Sequence, residues 1–87
     1  PDFTQTAAAP LVNSTTLTHN VLKNTTTLPV NNANGFISGK SIIIDEGDCE
    51  EETAIILMST STYLILTSPL THSHEKGKPV RLVLPNE

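Results

Sequence analysis

Six carboxylates and the single cysteine of the chain lie together between two isoleucine-rich runs. The segment 39–56 reads GKSIIIDEGDCEEETAII, with acids at 45, 46, 48, 50, 51 and 52 and the cysteine at 49. Clustered carboxylate oxygens can bind Ca²⁺, but an EF-hand loop needs glycine at its sixth position and glutamate at its twelfth. Counted from Asp45, Gly47 is third and Glu50 is sixth. We therefore predict no metal, with calcium as the weaker alternative, and interpret the segment as a charged hairpin turn.

The histidines and Cys49 are the other groups that could do chemistry. His72 and His74 have a spacing that zinc ligands sometimes use, but Cys49 and His19, the candidates for a third ligand, lie far from them in the sequence. A catalytic carboxylate pair needs one acid in an apolar pocket and another across a cleft, which six acids on one loop do not provide. We predict no catalytic residue and no enzyme activity. Cys49 is either a free thiol or one half of an intermolecular disulfide.

Composition excludes two classes of partner. The 87 residues carry a net charge of −4, and their five basic residues are scattered along the chain, so no basic patch predicts nucleic-acid binding. The longest apolar run, 54–58, is far shorter than the roughly 20 residues that span a bilayer, so we expect no membrane insertion. Charged residues are only 16% of the chain, and Thr, Ser and Asn give it an uncharged polar character.

Short β-favouring runs alternate with turn residues along most of the chain. Runs rich in Thr, Ile and Val, separated by Asn, Gly and Pro, predict strands, and no segment has the spacing of an amphipathic helix. We predict an all-β fold, a small antiparallel sandwich or barrel of about six to seven short strands. The predicted strands are Thr15–His19, Thr25–Val30, Ser41–Asp45, Glu52–Ser59, Thr62–Thr67 and Val80–Leu84.

The first fourteen residues differ from the rest. PDFTQTAAAPLVNS is Ala-rich and Thr-rich, is broken by Pro10 and has no helical spacing of apolar residues. We predict that residues 1–14 form an extended arm or linker and that residues 15–87 form one β-module. In an incomplete sandwich such an arm can supply a missing strand to the next copy, with Phe3, Thr4, Leu11 and Val12 as its contact residues.

Two acceptor sequences for N-linked glycans lie near the arm. Asn13-Ser14-Thr15 and Asn24-Thr25-Thr26 both fit the Asn-X-Ser/Thr rule. Further hydroxyl groups surround them, and clusters of this kind also accept O-linked sugars. We predict glycosylation at Asn13 and Asn24 and at hydroxyl positions 15, 16 and 26, and an extracellular or cell-surface location.

The run from Thr25 to Val80 resembles a small β-module that recurs in secreted and surface proteins. Its pattern has a GFxxG turn, an xIxID strand, an acidic turn, an ExxxI strand, LxLxxPL, an HxxG turn and a closing strand with valine. The matching residues are Gly35, Phe36, Gly39, Ile42, Ile44, Asp45, Glu51, Glu52, Ile56, Leu64, Leu66, Pro69, Leu70, His74, Gly77 and Val80. Modules of this appearance occur in phage-tail and adhesin-like proteins, beside secreted glycan-active enzymes, and in extracellular filaments such as algal flagellar hairs, the mastigonemes.

The resemblance implies a role for two polar side chains. A glutamate at the start of one strand, Glu51 or Glu52, and a histidine before the last strand, His74, occur together in the pattern. We predict that they approach each other and form a structural clasp through a charge-assisted hydrogen bond.

The leading functional hypothesis is a non-enzymatic structural subunit of an extracellular, glycosylated fibre or surface appendage. Its copies would assemble through β-strand contacts, without a cofactor, and its glycans would be covalently attached rather than bound. The alternative is an accessory binding or adhesion module of a larger secreted glycan-active or phage-tail protein.

Overall fold

Residues 13–83, the part of the chain that the computed structural model describes, contain six β-strands joined by turns and loops, and no helix. The β-branched and leucine residues that dominate these strands favour a pleated, half-buried surface. The predicted all-β fold with about six short antiparallel strands is confirmed. The strands are β1 (Ser14–Thr16), β2 (Thr27–Pro29), β3 (Ser41–Ile44), β4 (Glu52–Ser59), β5 (Tyr63–Leu66) and β6 (Pro79–Leu82).

The strands form one curled sheet in the order β1-β6-β3-β4-β5-β2, and every neighbouring pair is antiparallel. The curl brings the two outermost strands, β1 and β2, against each other just beyond their ends. There, Leu17 bridges Val30. The N–H of Thr18 donates to the carbonyl of Pro29 at 3.1 Å, and the N–H of Asn31 donates to that of Thr16 at 3.0 Å. The curled sheet has the shape of a half-barrel, and these contacts join its two edges to each other.

This junction leaves less exposed edge than an incomplete sandwich would offer to an arm. An exposed edge strand presents unpaired N–H and C=O groups to another chain, whereas here β1 and β2 use part of their edges on each other. Pro29, the last residue of β2, has no N–H to donate and is typical of protected edges. The curl of the sheet is the physical reason, since it turns two edges towards one another.

The start of β1 lies within the predicted arm. Ser14 belongs to β1, and the carbonyl of Asn13 accepts a hydrogen bond from the N–H of Leu82 at 2.9 Å. The arm residues Phe3, Thr4, Leu11 and Val12 lie outside the described residues.

The core fills the concave side of the sheet. Residues that face each other across antiparallel strands share a side, and the pairs Ile42–Leu82 and Ile44–Val80 place four buried side chains on this side. Phe36 is fully buried and comes from the loop between β2 and β3, where its N–H donates to the carbonyl of Ala33. The whole core consists of Leu17, Val21, Leu28, Val30, Ala33, Phe36, Ile42, Ile44, Ile56, Leu64, Leu66, Leu70, Val80 and Leu82.

A bulge interrupts the pairing of β4 with β5. Ile56 pairs with Leu66, but the register shifts before Met58 pairs with Ile65. A bulge inserts one unpaired residue and changes the direction of the side chains that follow it. As a result, Leu57 and Met58 are both exposed, although alternation would have turned one of them inward.

Replacing Phe36 by alanine tests the assignment of this ring to the core. Because the ring is fully buried, we expect the Phe36→Ala change to lower the free energy of unfolding by about 3–5 kcal/mol, measured by urea denaturation. Its neighbour Ile37 is 56% exposed, so Ile37→Ala is a matched control with an expected effect of about 0.5 kcal/mol or less. Equal effects at the two positions would contradict the assignment.

Candidate functional site

A buried histidine lies between two carboxylates at one end of the core. The side chain of His74 is fully inaccessible to solvent. Its Nδ1 lies 2.5 Å from Oδ2 of Asp45, and its Nε2 lies 2.6 Å from Oε2 of Glu52. The structure therefore brings together Glu52 and His74, two of the predicted clasp residues, and adds Asp45, which the sequence analysis did not place there. We call these three residues the clasp.

Glu52 reaches the clasp because of its position in β4. It pairs with Ile44, whose side chain is buried, so both residues point to the concave side of the sheet. Its Oε1 accepts hydrogen bonds from the N–H and hydroxyl of Thr71 at 2.9 and 3.0 Å. Its Oε2 accepts from the N–H of His72 at 3.0 Å and contacts His74. This carboxylate thus holds the segment 71–74 against the sheet.

The other candidate for the predicted clasp, Glu51, has a different role. It precedes β4, and its Oε1 accepts the N–H of Gly47 at 2.9 Å, within the acidic loop. The structure does not bring Glu51 to His74.

Asp45 turns inward because of its backbone conformation. Strand alternation after Ile44 would direct it outward, but its φ of 61° lies in the left-handed region that Asp adopts more readily than most residues. Its N–H donates to the carbonyl of Pro79, and its carbonyl accepts the N–H of Asp48 to form a turn. Asp45 is only 1% exposed.

Each ring nitrogen of His74 faces a carboxylate oxygen. A neutral imidazole has one N–H donor and one acceptor nitrogen, whereas an ionised carboxylate can only accept, so both ring nitrogens donate to carboxylates only in an imidazolium. The ammonium of Lys78 lies beside the same cluster, with its Nζ 3.9 Å from Oδ1 of Asp45. Buried polar groups are tolerated when they are paired with one another in this way.

The charges and hydrogen bonds shift two pKa values around the clasp. Burial raises the pKa of Glu52, but the hydrogen bonds from Thr71, His74 and His72 together outweigh this effect and hold the pKa below its usual range. The negative charge of Asp45, followed by that of Asp48, raises the pKa of Lys78. Both shifts favour the charged forms.

The remaining acids stabilise the loop or the outside of the sheet. Asp48 accepts the N–H of Glu50 at 3.3 Å, which is the main reason that its pKa is lowered. Glu46 accepts two hydrogen bonds from Arg81, at 2.7 and 2.9 Å, and this bidentate pair lowers the pKa of Glu46. The acidic segment is a hairpin turn whose carboxylates cap backbone N–H groups, with two acids turned into the clasp.

A metal ion fits this arrangement poorly. Asp45, Glu50 and His74 each place one ligand-type atom within 4.8 Å of the others. However, the Nδ1 of His74 already contacts Asp45, and the ammonium of Lys78 lies beside the same carboxylate. A divalent cation would have to displace both of these groups, so the clasp residues satisfy one another without it.

Cys49 is an exposed free cysteine in the acidic loop. The neighbouring carboxylate of Asp48, through a hydrogen bond and through its charge, raises the pKa of the thiol. The thiolate is the reactive form of cysteine, so this environment disfavours both nucleophilic chemistry and disulfide exchange.

The predicted glycosylation positions differ in their accessibility. Asn13 and Asn24 are both exposed, and Asn24 lies in a turn with a φ of 77°. Thr16 and Thr26 are exposed as well. Thr15 is half-buried, and its hydroxyl accepts the N–H of Asn32 at 3.0 Å.

The chemistry available to the clasp is structural. His74 is inaccessible, and both of its nitrogens are engaged, so the ring cannot take a proton from a bound molecule without breaking the clasp.

An open surface depression lies between the start of β4 and the loop after β5. Its lining includes the hydroxyl-bearing residues Ser41, Thr53, Thr67, Ser68 and Thr71. Within residues 13–83, no helix is long and apolar enough to cross a membrane.

Comparison of the chain with protein-family models, curated proteins and solved structures gave no match. The resemblance to a recurring surface module therefore stays a prediction from the residues that carry it.

The stability of the protein should depend strongly on His74. Removing the ring in His74→Ala leaves Asp45 buried without its main partner, so we expect a loss of about 3–5 kcal/mol in the free energy of unfolding. Differential scanning fluorimetry measures this loss as a fall in melting temperature of about 4–8 °C for each kcal/mol. The neighbouring His72 is exposed, and its backbone N–H donates to Glu52. Because alanine keeps this N–H, His72→Ala is the control. Equal melting temperatures for His74→Ala and the native protein would refute the clasp.

The pH dependence of stability should reveal the charge of Glu52. Because folding lowers the pKa of this group, its contribution is complete above the unfolded value of about 4.3 and is lost as the pH falls through the lower folded value. We expect the difference in unfolding free energy between the native protein and Glu52→Gln to be largest near neutral pH and to shrink below about pH 4. Urea denaturation from acidic to neutral pH measures it. A difference that is independent of pH would mean that the carboxylate charge has no role.

Proposed function

We propose that the chain is a non-enzymatic structural module of an extracellular, glycosylated fibre or surface appendage, in which copies assemble through β-strand contacts of the N-terminal arm. The observation that supports this most directly is the use of the polar core residues. Asp45, Glu52 and His74 are the chain's best candidates for acid–base chemistry, and they bind one another in a solvent-inaccessible clasp. In this arrangement the acid–base groups of the clasp stabilise the fold.

Two observations support an assembly role for the arm. Because β1 and β2 are joined at Leu17 and Val30, the edges of the described sheet offer little length to another strand. Residues 1–12 of the arm precede β1 in the sequence and carry one charged side chain, Asp2. A nearly uncharged segment with apolar residues at 3, 11 and 12 is suited to strand contacts with the arms of other copies. When each arm pairs along one edge with the arm of the preceding copy and along its other edge with that of the next, the contacts are head-to-tail and produce a filament.

The surface supports a glycosylated exterior. Asn13 and Asn24, the two acceptor asparagines, are exposed, and Asn24 occupies a turn, where an enzyme can reach it. Covalently attached glycans at these positions would cover the surface near β1 and near the loop before β2 without disturbing the core.

Removing the arm tests the proposal. The deletion should stop at residue 12, because Asn13 and Ser14 take part in the sheet. We expect the full chain to form fibres visible by negative-stain electron microscopy. The variant without residues 1–12 should form none and should keep the native melting temperature. A peptide of residues 1–12, added in excess, should block fibre formation by the full chain, and a scrambled peptide should not. Unchanged fibres from the deleted chain would contradict the proposal.

A further inference from the structure

An apolar patch covers the convex side of β4 and β5, which faces away from the core. Four of its residues leave about half of their surface accessible: Ile55 at 48%, Leu57 at 53%, Met58 at 54% and Tyr63 at 47%. The fifth, Ile65, is half-buried. We call Ile55, Leu57, Met58, Tyr63 and Ile65 the outer patch.

The outer patch is continuous across both strands. Met58 is directly opposite Ile65. Tyr63 lies on the same side of β5 as Ile65, two positions before it. Ile55 and Leu57 continue the surface along β4. The bulge between Ile56 and Met58 enlarges it, because it exposes Leu57 and Met58 together. A contiguous apolar surface of this kind, bordered by polar residues, is typical of an interaction site.

The outer patch carries no formal charge in a protein of net charge −4. The only other outward residue of β4 and β5 is a threonine, at position 53. The acids of the loop 45–51 precede β4 and therefore lie at the end of the strand opposite to Leu57 and Met58. A strongly charged partner would find no opposite charge to pair with on this surface.

We propose that the outer patch is the contact surface between two copies of this chain, packed face to face about a two-fold axis. An isologous contact requires a surface that is compatible with itself, and an uncharged apolar surface meets that requirement without like-charge repulsion. When the two β4 strands run in opposite directions across this interface, the acidic loops of the two copies lie at opposite ends of the interface. Sheets stack in this way at about 10 Å, with apolar side chains between them.

The size of the outer patch sets the strength of the contact. Four half-exposed large side chains and Ile65 amount to an apolar area on the order of 400 Å². A standard interface buries about 800 Å² on each partner, so the outer patch is the core of an interface at the low end of the range. The pair is therefore a weak, concentration-dependent dimer.

This inference goes beyond the proposed fibre, because the two contacts use different parts of the chain. The arm makes the strand contacts of the fibre, whereas the outer patch lies on β4 and β5. Each can fail without the other.

Sedimentation equilibrium of the soluble full chain, from about 10 µM to 1 mM and after centrifugation has removed any fibres, tests the dimer. A Cys49→Ser background removes any contribution from disulfides. The test variant is Leu57→Lys/Met58→Lys, which places two like charges in the outer patch. The control is Leu22→Lys, at a residue that is 73% exposed and lies outside the outer patch. Circular dichroism melting of each variant verifies the fold, and Tyr63→Ser provides a second, uncharged test variant.

We expect a monomer–dimer equilibrium in the native chain and in Leu22→Lys, and at least about a tenfold weaker dimer in both test variants, a change of about 1.4 kcal/mol. A native chain that stays monomeric throughout the range overturns the inference, as does a dimer that the test variants leave unchanged.

A further full-chain variant, Phe3→Ser/Leu11→Ser, separates this contact from the arm. If it abolishes the dimer and the outer-patch variants do not, self-association belongs to the arm, and the inference fails while the proposed fibre stands. A dimer that is sensitive to the outer patch in a protein that forms no fibres supports the inference and contradicts the proposed function.

Discussion

The placement of one buried histidine constrains much of this structure. Both ring nitrogens of His74 have partners inside the core only while Asp45 and Glu52 both face the ring, and each of those residues is fixed by a different piece of backbone. Asp45 depends on a left-handed residue at the end of β3, and Glu52 depends on the register of β3 with β4. A shift of one residue in that register would turn Glu52 to the convex side and leave the buried His74 without its second partner. The clasp therefore stabilises the sheet and also selects its register.

The clasp also connects the chain segments that are not strands. The backbone of His74 forms a two-way bridge with Val21, through N–H···O=C distances of 2.8 and 2.9 Å. Leu70 is buried and exchanges backbone hydrogen bonds with the segment 24–25. The loop 67–78 thus covers one end of the core and binds the segment that follows β1. In a domain of this size, which has a small core, such polar connections supply order that apolar burial alone provides less well.

Local patterns in the sequence predict the strands well, because alternation and turn residues are local properties. The bounds of β4 agree with the prediction, and those of β3 differ from it by one residue. Glu52 could also have been chosen over Glu51, since it alternates with the core residues at 54 and 56. Asp45 could not have been assigned in this way, because its inward direction comes from a positive φ that reverses the alternation. The junction of β1 with β2 depends on the three-dimensional curl of the sheet, so local patterns in the sequence do not predict it.

The pairing of β1 has a consequence for the order in which the chain can fold. Among the named strands, β1 pairs only with β6, so the first strand to be synthesised meets its partner last, with Ser14 opposite Arg81. Contacts between residues so far apart in sequence are the ones that form late and slowly. On the ribosome, the β3–β4–β5 meander can form while β1 still lacks its strand partner β6. The residues next to the arm therefore complete their place in the sheet only after β6 has emerged, when the rest of the sheet can already have formed.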